Sequence, residues 1–408
     1  MNKKIYKKYA EVAVKIGINL QPNQEVNIFA STRQRDFVKY VVEACYKNKA
    51  KRVSVEWSDD EITRLNYKHQ SKKTLAEIPD WQEEKQKHNA EVLPCRIMIA
   101  DSAPDALKGI NTGKMQVAQR ARYMRMKKYI DLMDNKYQWT IIAVPSPEWA
   151  KKVFPNETKA NAVKKLWANI LHTARLDNED PIAAWEDHIN YLHEKSSKLN
   201  SYNFHHLTYK SSNGTNFTVG LQENHEWLSA RETSLQNIEF TANMPTEEAF
   251  TMPAKYSAEG TVVATKPLSY HGQLIEDFSI TFKEGKAVSW SARTNEKLLE
   301  EMITTDEGSA YLGEVALVPY DSPINETGVI FLNTLFDENA CCHLALGRAF
   351  NNNIKGYEKM THEDFQKANV NTSMIHVDFM IGSADLEIIG TTYDGQEVAV
   401  FKNGTWAI

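Results

Sequence analysis

Three features of the sequence predict a two-domain chain, an α/β domain over residues 1–200 followed by a β-rich domain of α+β character over 201–408. The length, 408 residues, exceeds what one compact core holds, and 42% apolar residues suffice for two. Helical and strand patterns alternate as far as residue 200, which is the rhythm of βα units. Beyond that point the pattern changes to short strands separated by turn dipeptides.

The elements follow in order. An amphipathic helix is expected over about 4–16, then a strand at "EVNIFA" (25–30), a helix through "RDFVKYVVEACYK", a strand at "RVSVEW" (52–57) and another helix. Strands are expected again at "CRIMIA" (95–100) and "WTIIAV" (139–144). Two long helices close the first domain, "NAVKKLWANILHTARL" and "DPIAAWEDHINYLHEKSSKL", the second with Asp180 as cap and Pro181 in its first turn. In the second half, Asn213-Gly214, "KEGKAV" (283–288), Asp394-Gly395 and Asn403-Gly404 signal hairpins.

The net charge of −5 and a pI near 6.2 supply no basic field for phosphate backbones or anionic lipid, which argues against nucleic-acid and membrane partners. No apolar run is long enough to span a bilayer, and the basic N-terminus lacks the continuous apolar centre of a signal peptide. Four cysteines, two of them adjacent at Cys341 and Cys342, make neither a disulfide framework nor a zinc-finger spacing. A reducing cytoplasm is the expected location.

Polar residues interrupt core-like sequence at four places in the second half. Glu247 and Glu248 sit between two prolines in "NMPTEEAFTMP", read as a turn or short helix; Glu314 lies inside the strand-like "YLGEVALVP". In "LFDENACCHLALGRAF", Glu338 and His343 stand five apart at the start of an expected helix. In "MIHVDFMIG", His376 and Asp378 stand two apart, on one face of a strand. Each has an ordinary alternative: a histidine on an apolar strand can be a hydrogen-bonded core residue, and paired glutamates at a turn can be solvated caps. A carboxylate inside an apolar strand is harder to accommodate, because burying it unpaired costs several kcal/mol. It needs a basic partner, a proton or a metal. Arg348 is the one nearby basic residue in these clusters, whereas carboxylates and imidazoles together suit a pair of divalent cations such as Zn²⁺, Co²⁺ or Mn²⁺.

These segments, with "GEVALVPYDSPI" and "HVDFMIGS", resemble the aminopeptidase T and aminopeptidase S family of metallopeptidases. "YAEVAVKIGINLQPNQEV", "WAKKVFPNE" and the closing "GTWAI" extend the likeness along the chain. The resemblance implies an exopeptidase acting on peptides with a free N-terminus, two divalent ions (Zn, Co, Mn or Mg), a homodimer, and a C-terminal domain that carries the metal site. Carried over residue by residue, it implies Glu248, Glu314, Glu338, His343, His376 and Asp378 as metal ligands, with Glu314 bridging; which ion each binds stays open. Glu247, beside a ligand, becomes the candidate base for a metal-activated water, with a solvated or structural glutamate as the competing reading.

One position departs from the family. Where "HLALGRAY" is common, this chain has Phe350, expected on the same helical face as His343 if that helix continues. The resemblance implies that the missing hydroxyl donates to the oxyanion of the tetrahedral intermediate, so a catalytically weakened metal-binding protein is one alternative. Another two-metal hydrolase, acting on phosphate esters, is the second, although no glycine-rich anion cradle or arginine cluster accompanies the four segments.

Overall fold

The structure, a computed structural model, describes residues 3–101, 109–271 and 273–408, with the backbone alone at Thr112. The chain falls into two compact units, 1–185 with 232–244, and 186–231 with 245–408. The expected domains 1–200 and 201–408 are a simpler division than this one. The helical pattern of Pro181–Tyr202 runs unbroken through residue 185, so no change of composition marks that point.

In the first unit, four parallel strands stand in the order Arg52–Ser58, Glu25–Ser31, Cys95–Ala100, Trp139–Ala143. Parallel neighbours need crossovers, and the helix Arg35–Lys47 supplies the one between the first two strands in sequence. Strand residues alternate between buried and half-buried: Cys95, Ile97 and Ile99 are buried, their neighbours less so. Tyr9 ties the N-terminal helix Lys3–Val12 to the sheet, its buried hydroxyl donating to Ala143 O and accepting from Ala143 N, each at 3.1 Å. Asp180 caps the long helix as expected, its Oδ1 accepting from Ile182 N and Ala183 N.

The second unit holds a nine-stranded antiparallel sheet and a separate four-stranded one. All four hairpin signals lie between paired antiparallel strands. At Asn403-Gly404 both residues take positive φ, 51° and 74°, the combination a two-residue hairpin turn demands and the reason these two residue types occur there. The smaller sheet runs His376–Met380, His343–Gly347, Leu312–Leu317, Ala249–Thr251, antiparallel throughout. One face lies on the main core through Val315, Leu317, Leu344, Leu346 and Phe379, all fully buried. The alternate residues on its other face carry the polar groups singled out in the sequence.

One segment differs from its expected form. A single helical turn, Thr334–Asp337, passes into a 3₁₀ turn at Glu338–Ala340, and His343–Gly347 is a strand rather than the continuation of a helix. Ladder partners on both sides, Leu312–Leu317 and His376–Met380, outweigh the helix propensity of its alanine and leucine residues.

His225 couples this unit to pH. It is 1% exposed, and burial holds its imidazole down at about 4. The unfolded chain takes up that proton near 6.5, so stability contributed by neutral His225 is complete above about 6.5 and is lost as pH falls toward 4. The loss should reach about 3 kcal/mol. Urea midpoints of wild type and His225→Asn measured between pH 7 and 4 check it: the variant should show a shallower acid slope, and parallel slopes would refute the assignment.

Candidate metal centre

Strand register brings the polar residues onto one face. Glu314 pairs with Ala345, which pairs in turn with Asp378; Ala316 pairs with His343, and Gly347 with His376. Directly opposed residues share a face, and so do residues two apart along a strand. Glu314, His343, His376 and Asp378 therefore converge across three strands, with Ala316, Ala345 and Gly347 as the small residues between them. Gly347 also turns the chain. Its φ is +103°, and a Cβ there would come 2.2 Å from Ile375 O, so only glycine fits. Glu248 enters from the loop preceding Ala249–Thr251.

The distances form two groups that share one carboxylate. His343 Nε2 lies 3.2 Å from Glu248 Oε2 and 3.5 Å from Glu314 Oε1. His376 Nε2 lies 3.4 Å from Glu314 Oε2 and 3.3 Å from Asp378 Oδ1. In each trio, Glu248–Glu314–His343 and Glu314–His376–Asp378, the potential ligand atoms lie within 4.8 Å of one another. Glu314 thus turns one oxygen toward each histidine, which is what a carboxylate shared between two ions must do.

The imidazoles are oriented for the same purpose. His343 Nδ1 is 3.3 Å from Cys341 O, and His376 Nδ1 is 2.6 Å from Arg348 O. Carbonyl oxygens only accept, so each Nδ1 carries the hydrogen and each Nε2 presents its lone pair to the carboxylates once the ring is neutral. This is the arrangement of a metal-binding histidine held by its second nitrogen.

Electrostatics point the same way. Burial pushes Glu248 up, and it pushes Glu338 well above the usual carboxylate range, with Asp378 and Glu248 adding like charge. Burial also opposes charge on Glu314 and Asp378, but their histidine neighbours outweigh it and hold both below the ordinary value. His343 and His376 are in turn raised far above normal, since their carboxylate partners overcome the effect of burial. Four buried carboxyl groups facing two imidazoles leave an excess of negative charge, which only protons or cations can balance. The donor set, oxygens and imidazole nitrogens at chelating distances, fits divalent ions.

The remaining expected residues lie around the trios. Glu338 belongs to neither, but it lies close enough to Asp378 to help hold that carboxyl down, and it accepts a hydrogen bond from Asn339 Nδ2 at 3.3 Å. Glu247 is buried, its Oε2 3.4 Å from His188 Nε2. Phe350 reaches the centre by a different route from the expected helical face: the strand delivers it past Gly347, and its ring centroid lies 4.6 Å from that of His376. Arg348 does not neutralise the carboxylates; it is exposed, with its guanidinium 5.8 Å from the Phe350 ring centroid. His188 and Asn339 were not visible as site residues in the sequence. His188 sits in an amphipathic helical pattern like any surface histidine, and Asn339 is an uncharged residue within a charged cluster.

The likeness to known proteins runs along the whole chain. Residues 2–406 match the model of a family described as thermophilic metalloprotease (M29). The chain is 42% identical to aminopeptidase AmpS of Bacillus subtilis over 400 residues, 98% of this chain and 97% of that protein. It is 40% identical to aminopeptidase 2 of Geobacillus stearothermophilus over 401 residues, with 98% and 97% covered. The solved structure of wild-type AmpT from Thermus thermophilus superposes with a TM-score of 0.91 at 36% identity, covering 100% of both chains. With the whole length matched and the carboxylate–imidazole face in place, the chain belongs to the thermophilic metalloprotease (M29) family.

Proposed function

We propose that this chain is a metal-dependent aminopeptidase that releases N-terminal residues from peptides at a centre for two divalent ions. The observation that carries the reading is the shared carboxylate: Glu314 Oε1 faces His343, and Glu314 Oε2 faces His376. Glu248 and His343 would complete one ion's ligands and His376 and Asp378 the other's, with Glu338 beside Asp378. Zinc, cobalt, manganese or magnesium suit such donors. Ions held there would polarise the scissile carbonyl and lower the pKa of a nearby water toward ~7.

The protein's own groups supply the rest. Glu247 is our candidate to accept the proton from the attacking water and return it to the leaving amine, with His188 beside its Oε2. The substrate is a peptide with a free N-terminus. We further propose, from the family resemblance, a homodimer working in the cytoplasm; among the described residues no helix is long and apolar enough to cross a membrane.

The reading is tested with one peptide in two forms. Metal-loaded protein should cleave the free peptide from its N-terminus, lose activity to a chelator and regain it when the ion returns. The N-acetylated form should be cleaved more slowly by about tenfold or more, the cost of a site whose polar groups lose their partner. Equal hydrolysis of both forms would rule out an aminopeptidase.

A further inference from the structure

The peptide group between Thr246 and Glu247, immediately before Glu248, is held at both polar ends by side chains from distant parts of the sequence. Its carbonyl oxygen is 2.8 Å from His188 Nε2, and its N–H donates to Asn339 Oδ1 at 2.7 Å. Because the carbonyl can only accept, the His188 nitrogen facing it carries a hydrogen. The same Asn339 amide donates through Nδ2 to Leu335 O at 3.2 Å and to Glu338 Oε1 at 3.3 Å. Asn339 is 0% exposed and His188 9%, so water does not compete for these contacts.

We propose that Asn339 and His188 are positioning residues that clamp this peptide and set the spacing of Glu248 and Glu338 before an ion binds. The inference rests on the two-ion reading above and extends it to residues that touch no ion. A peptide unit is planar, so fixing its C=O and its N–H fixes the orientation of the whole plane and the direction in which the chain enters Glu248. Asn339 adds the second half of the clamp, since one rigid amide, 92 residues from Glu247 in sequence, joins that plane to the Glu338 carboxylate. Only an amide serves both neighbours. A carboxylate at 339 would accept from the Glu247 N–H but offer nothing to Glu338 and add like charge; an aliphatic side chain would leave the buried N–H without a partner.

The test uses the full-length protein, stripped of metal, and Zn²⁺ alone, with affinity read by competition against a chromophoric chelator. Asn339→Ala and His188→Leu should each weaken Zn²⁺ binding by about 10–100-fold, as expected when a residue that orients ligands is lost. His188→Gln, whose amide N–H can stand where the ring nitrogen does, should restore affinity to near wild type. A purely structural role predicts instead that His188→Gln and His188→Leu lower the melting midpoint of metal-free protein without changing Zn²⁺ affinity. Wild-type affinity in both Asn339→Ala and His188→Leu overturns the inference alone, as does a His188→Gln variant as weak as His188→Leu. A wild-type chain that takes up no Zn²⁺ overturns the two-ion reading and this inference together. Should Asn339→Ala fail to fold, the two His188 variants decide the question.

Discussion

Glu314→Ala is expected to abolish peptide hydrolysis and to strip most of the bound metal while the chain still folds. Glu314 is central in a strand flanked on both sides, and its two oxygens face His343 and His376. No other residue belongs to both trios. On the two-ion reading its removal takes a ligand from each ion at once, and the fall in turnover should be on the order of 10³ or more, the scale of losing metal activation of water. Folding should survive because Val315 and Leu317, on the opposite face, keep their core contacts, and each histidine keeps a carboxylate partner, Glu248 or Asp378. Elemental analysis, turnover and the melting midpoint of the same preparation check all three parts. Full activity with unchanged metal content would remove the basis for a shared carboxylate.

Phe350→Tyr is expected to raise turnover. The ring already lies against His376, 4.6 Å between centroids, at the edge of the carboxylate cluster. Adding one hydroxyl hardly changes its volume, so packing should tolerate the substitution. A well-aimed donor to charge that develops only in the transition state raises kcat with little change in KM, here by roughly tenfold or more, since removing a donor of this kind from other hydrolases costs roughly 10²–10³. If an existing group already fills that role, the new hydroxyl is redundant, or is buried without a partner at a cost of about 1–3 kcal/mol. Measuring kcat, KM and the melting midpoint of both proteins with the same metal separates these outcomes. An unchanged or lower kcat in folded, fully metallated Phe350→Tyr would show that position 350 does not limit the catalyst.

Much of the centre was legible because its strands obey a period of two. His376 and Asp378 fall on one face whatever the rest of the chain does, and a glutamate inside "GEVALV" signals a buried charge that needs a partner. The hairpins were equally local, since Asn403-Gly404 carries its turn geometry in the residues themselves. The segment 338–350 was misread for the same reason in reverse. Its alanines and leucines favour a helix locally, and only pairing with two strands remote in sequence makes His343–Gly347 extended.

What the sequence determined by itself, then, is that His376 and Asp378 share one face of a strand and that Glu314 interrupts an apolar one, because side-chain alternation and turn preferences act over a few residues. Only the tertiary structure decided how those faces meet: that Glu314 divides its oxygens between His343 and His376, that Phe350 lies on His376, and that His188 and Asn339 hold the peptide before Glu248. Such contacts join residues tens of positions apart, and they are set by strand register and burial of the common core, which no local propensity encodes.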